Sequence, residues 1–83
     1  MINGRYDFGQ GIVFVVHRDG DHLVAQREGA VTGPPLPIFA EAPLKFFWRA
    51  VDAQVTFTAD ESGKVTGATF TQGGQSLPGK RLD

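Results

Sequence analysis

Eleven glycines and five prolines cut this chain of 83 residues into short runs, and the runs are rich in β-branched and aromatic residues. That punctuation excludes most folds at once. No window sustains helical periodicity over three turns, and the best helical case, Phe39 to Trp48, is interrupted by Pro43. The runs read instead as strands. Gly4 to Phe8 places Tyr6 and Phe8 on one face, and Gly11 to Arg18 is the strongest strand segment. His22 to Glu28 follows it. Leu36 to Ala40 lies among prolines 34, 35, 37 and 43 and is expected at a sheet edge. Leu44 to Arg49 is aromatic, and Ala53 to Thr58 alternates cleanly, with Ala53, Val55 and Phe57 inward. Lys64 to Gln72 and Gln75 to Leu82 close the chain.

The turns between these runs predict a meander. Asp19-Gly20 suits the centre of a type I′ hairpin, Asp60-Glu61-Ser62-Gly63 a type I turn ending on a left-handed glycine, and Gly73-Gly74 a second tight hairpin. Sequence neighbours therefore pair antiparallel. In Lys64 to Phe70 the alternation breaks parity, because Val65 falls on one face while Ala68 and Phe70 fall on the other. A β-bulge at Gly67 inserts one residue and returns all three to the core.

About seven or eight short antiparallel strands in an up-and-down meander are expected to form a small barrel or a strongly curled sheet, spanning residues 1–83 as one domain. A chain of this size buries only about 60% of its unfolded surface, so the core must be well packed. The expected core is Tyr6, Phe8, Ile12, Phe14, Val16, Leu23, Ala25, Phe46, Trp48, Val55, Phe57, Val65, Ala68 and Phe70. The aromatic rings are expected to fill the interior. Val13 and Val15 point the other way and, with Phe39 and Phe47, mark a candidate ligand or partner surface.

Several chemistries find no support. Net charge is −1, so no basic excess exists for a phosphate backbone and nucleic acid is not an expected partner. No run is long and apolar enough for a membrane span, and the first residues lack a signal-peptide pattern, so no membrane insertion is expected. Cysteine is absent, which removes thiol nucleophiles and thiolate metal sites. Neither serine begins a Ser-x-x-Lys unit, since Val65 and Gly79 stand three residues after Ser62 and Ser76. Gly9-Gln10-Gly11 opens a strand and is no phosphate loop. If Asp19-Gly20 is the turn, His17 faces His22, and with Asp19 or Asp21 the pair is a weak candidate for a divalent metal. A third converging ligand is not placed, so no metal, cofactor or catalytic residue is assigned.

Gly4-Arg5-Tyr6, Arg18 to Gln26, Phe46-Phe47, Val51 to Phe57, Asp60 with Gly63 to Gly67, and Lys80-Arg81-Leu82 together resemble, in order and spacing, one known module. It is the small lipocalin-like domain, formerly of unknown function, found C-terminal to serine hydrolases and peptidases of the β-lactamase and penicillin-binding-protein type. The resemblance implies a β-barrel without catalytic residues of its own, packing against a hydrolase domain in the same parent chain or self-associating, with a periplasmic or secreted parent. The alternative is a stand-alone barrel that binds a small apolar ligand. The two differ in a measurable quantity. A docking module exposes an apolar patch and has no cavity, whereas a carrier has a connected apolar pocket of at least roughly 300 Å³ with a few polar groups at its mouth.

Overall fold

The computed structural model describes residues 2–29 and 32–82, which form eight strands and no helix. The strands are β1 (Gly4–Asp7), β2 (Ile12–Asp19), β3 (His22–Gly29), β4 (Leu36–Ala42), β5 (Lys45–Trp48), β6 (Ala53–Ala59), β7 (Val65–Gln72) and β8 (Gln75–Arg81). Each pairs antiparallel with its sequence neighbours, and β1 pairs with β8. The meander expected from the hairpin spacing is therefore present, and it closes into a barrel.

Pairing on both sides corrects the expectation for the proline-rich run. β4 is not an edge strand: Leu23↔Ile38 joins it to β3, and Ile38↔Trp48 joins it to β5. A proline removes one donor from a ladder but does not prevent pairing on both sides. Pro37, opposite Val24, is accommodated within a β3–β4 ladder of three aligned residue pairs. Pro78 on β8 pairs with Thr69, at a level that β1 does not reach, because β1 meets β8 only at Lys80 and Arg81.

The β2–β3 hairpin also differs from expectation. Its two central residues are Gly20 and Asp21, with Asp19 opposite His22, Arg18 opposite Leu23 and His17 opposite Val24. Gly20 has φ +67° and is the only left-handed residue of the turn, the pattern of type II′ and not type I′. Both registers leave Val16, Leu23 and Ala25 facing inward, so the apolar pattern could not choose between them. The other two turns form as expected. Gly73 and Gly74 both have positive φ, with Gln72 opposite Gln75. In the β6–β7 turn Gly63 is left-handed, its N–H donates to the Asp60 carbonyl, and the Asp60 carboxylate accepts from the Ser62 N–H, the Ser62 hydroxyl and the Lys64 N–H.

The bulge at Gly67 is present. Thr58 pairs with Gly67 and Ala59 with Val65, leaving Thr66 as the extra residue, and Val65 and Ala68 are both buried. A second bulge, at Glu41, lies between Ala40↔Phe46 and Ala42↔Lys45.

The core has two aromatic tiers. In one, Phe57 packs between Tyr6 and Phe46, with ring centroids 5.2 and 5.7 Å away, and the Tyr6 hydroxyl donates to the Ile2 carbonyl at 2.7 Å. In the other, Phe14, Trp48 and Phe70 touch one another at 5.3 to 5.7 Å, with Phe8 beside Phe14 and Phe70. Val24, Ile38 and Ala53 are buried although the expected core omitted them, whereas Ile12, Phe14, Leu23 and Phe70 are only half-buried, near the barrel ends. The β1–β8 seam is short. It is reinforced by the Leu82 N–H donating to the Arg5 carbonyl at 2.8 Å and by Arg81, whose guanidinium donates to the Asn3 and Val65 carbonyls.

Candidate ligand-binding site

The aromatic tiers fill the middle of the barrel, where only about 10 Å³ remains between Tyr6, Phe14, Trp48 and Phe57. The filling stops short of both ends. At the end bearing Leu23, Leu44 and Val65 a recess of about 650 Å³ is shared with the polar Arg18, Asp21 and His22. The other end is lined almost wholly by apolar side chains. There a recess of about 370 Å³ opens between the β1–β2, β3–β4, β5–β6 and β7–β8 connections. The rings of Phe14, Trp48 and Phe70 face into it, with Ile12, Ala25, Leu36 and Leu77 on its walls. Val51, 42% exposed and one of two large apolar side chains left in solvent among the described residues, sits at its rim. The expectation that the rings occupy the whole interior therefore holds for the centre of the barrel and not for this end.

Alternation explains why the recess is apolar and where its one charge comes from. On β2 the inward residues are Ile12, Phe14 and Val16; on β3 they are Leu23, Ala25 and Arg27, because Arg27 pairs with Phe14 and Ala25 with Val16. An arginine thus occupies an inward position. Two hydrogen bonds tie the following segment to this strand: the Gly33 N–H donates to the Arg27 carbonyl at 3.0 Å, and the Gln26 amide donates to the Gly33 carbonyl at 3.1 Å. Gly33 and Pro34 are thereby placed on the recess wall beside Arg27.

The Arg27 Nε–H is sealed from solvent and meets no acceptor among the described residues. Leaving such a donor unmade costs on the order of 1–3 kcal/mol. The nearest acid in sequence, Glu28, points to the outer wall and pairs with Arg5 at 3.3 Å. Among the described residues no carboxylate lines the recess, and its other polar side chains include the neutral amides of Gln72 and Gln75. Arg27 is absent from the candidates named from sequence, yet the phase set by Leu23 and Ala25 carries directly to it.

The candidates named from sequence lie elsewhere. Phe39 and Phe47 are opposite each other on the outer wall, 5.9 Å between ring centroids, and the Arg49 guanidinium stands 4.1 Å over the Phe39 ring. Val13 and Val15 are also on the outer wall but on β2, flanked by Asp7, Arg5, Glu28 and Gln26, and separated from Phe39 by β3. All four are half-buried. The structure brings the two phenylalanines together and leaves the two valines apart from them.

The histidine pair is corrected by the hairpin register. His17 lies opposite Val24 and His22 opposite Asp19, so the imidazoles are set diagonally and not face to face. His22 Nδ1 bonds instead to the Asp21 carboxylate at 3.2 Å, and this bond, foremost among several contributions, holds the Asp21 carboxyl below its ordinary range. No group of three or more histidine and carboxylate side chains able to hold a metal ion occurs among the described residues. Asp60, also drawn below its ordinary range, owes that first to the Ser62 hydroxyl and then to the Lys64 N–H, and it serves its turn.

Comparison with family models, with curated proteins and with solved structures gave no match. The class of the chain accordingly rests on its own geometry: a closed eight-stranded antiparallel barrel with an apolar recess at one end.

Proposed function

We propose that this protein is a non-catalytic binding barrel that takes one small, largely apolar ligand in the recess beside Arg27. The observation that carries this reading is the recess itself. Its volume of about 370 Å³ falls within the range of small-molecule sites, roughly 300–1,000 Å³, and a floor of three rings with a few polar groups at the mouth matches their usual make-up. An apolar surface left open to water is unfavourable by about 25 cal/mol per Å², so covering it drives binding of an apolar molecule.

Trp48 is the only tryptophan and lies on the recess floor. Titration with 1-octanol, followed by tryptophan emission, tests the reading. Saturable change with a single midpoint is expected. A response that only rises linearly with octanol would contradict it.

A second reading keeps the barrel as a docking module for a hydrolase domain or for another copy of itself. What favours it is the outward-facing Phe39–Phe47 pair on a wall whose neighbouring strand β6 presents Gln54, Thr56 and Thr58. Phe47→Ser would then weaken self-association, measured by sedimentation, while leaving the octanol titration unchanged.

A further inference from the structure

The recess carries information about the head group of its ligand as well as its tail. Among the described residues its lining contains one cation, Arg27, and no carboxylate. Arg27 makes no side-chain hydrogen bond or ion pair with any described residue, and its Nε–H is already stripped of solvent without an acceptor. The strand on which it sits is fixed: Arg27 is held in register opposite Phe14, and its own carbonyl is bonded to Gly33. A cation whose backbone is held in register beside three aromatic rings, and whose terminal guanidinium nitrogens meet no described residue, is complementary to an anion joined to an apolar body. The planar guanidinium fork matches a carboxylate through two parallel N–H···O bonds, and that match is strongest where water is partly excluded.

We infer that Arg27 receives the carboxylate of an amphipathic ligand whose hydrocarbon part lies over Phe14, Trp48 and Phe70. This inference rests on the binding-barrel reading and deepens it. The neutral side chains of Gln72 and Gln75, which join β7 to β8 across the Gly73-Gly74 turn, stand at the same mouth and raise no electrostatic objection to an anion.

Three probes with the same eight-carbon chain separate the head group from the tail: octanoate, 1-octanol and octylammonium, each titrated into the wild-type chain at neutral pH and followed by Trp48 emission. Octanoate is expected to bind about tenfold more tightly than 1-octanol, and octylammonium most weakly. Added sodium chloride should reduce the preference for octanoate, because the attraction to Arg27 is screened while tail burial is not. Arg27→Gln should abolish the preference for octanoate over octanol, and Arg27→Lys should keep part of it, losing the planar fork but not the charge. The wild-type comparison stands even if a variant fails to fold. Equal affinities for octanoate and octanol in the wild type would overturn the assignment to Arg27 while leaving the apolar recess as a binding site. Absence of saturable binding by all three would overturn both.

Discussion

The ring of Phe8 lies so close to Gly79 that a methyl group on the glycine would fall 2.5 Å from Cδ2 and 2.6 Å from Cε2 of the ring. This contact brings β8 against the end of β1 just beyond the two residue pairs that close the barrel. The ring cannot easily yield, because Phe8 is itself buried and packed against Phe14 and Phe70. Gly79 is therefore required for space at the seam.

Gly79→Ala is expected to destabilise the fold by about 1–3 kcal/mol through overpacking. Phe8→Ala alone is expected to cost about 3–5 kcal/mol. In the double variant the added methyl no longer meets a ring, so the combined loss should be smaller than the sum by at least about 0.5 kcal/mol. Urea unfolding of the four proteins measures this, and simple additivity would show that the Phe8–Gly79 contact does not limit the seam.

Phe57 tests the inner tier. It is 3% exposed and touches both Tyr6 and Phe46. Phe57→Ala is expected to cost about 3–5 kcal/mol. Its neighbour Thr56 faces solvent, and Thr56→Ala should change stability by no more than about 0.5 kcal/mol. A loss below about 1 kcal/mol for Phe57→Ala would mean that the faces of β6 are reversed.

Asp60 gives a pH signature. Hydrogen bonds from the Ser62 hydroxyl and then the Lys64 N–H hold its carboxyl below the ordinary carboxylate range, so the folded state binds the proton less readily than the unfolded chain. The stability it confers is complete above the unfolded value of about 4 and is lost as pH falls through the lower folded value. Urea midpoints of the wild type and Asp60→Asn should differ at pH 7 and converge on acidification below about pH 4. A difference that persists unchanged in acid would remove the ionised carboxylate from the account of this turn.

The strands and their antiparallel order are legible in the sequence because glycine-containing turns and two-residue alternation act locally. The bulge at Gly67 is legible for the same reason: only an inserted residue puts Val65, Ala68 and Phe70 on one face. The register of the β2–β3 hairpin is not, since sliding by two residues preserves every inward side chain while changing which residue faces His17. Barrel closure is not legible either, because β1 meets β8 through a pairing between chain ends that no local pattern encodes, and the prolines around β4 hide that the meander pairs it on both sides. The recess is half legible. Parity places Arg27 inside, but where the ring filling stops depends on how Phe14, Trp48 and Phe70 stack against one another across three separated strands.

The most direct test of a ring-filled barrel whose apolar end accepts the ligand is an amide NMR titration of the isotopically labelled chain with octanoate. Shifts should concentrate on Phe14, Arg27, Leu36, Trp48, Phe70 and Leu77, which line the recess, and spare Leu23, Leu44 and Val65 at the opposite end. Shifts centred on that opposite end, or scattered over the outer wall around Phe39 and Phe47, would contradict it.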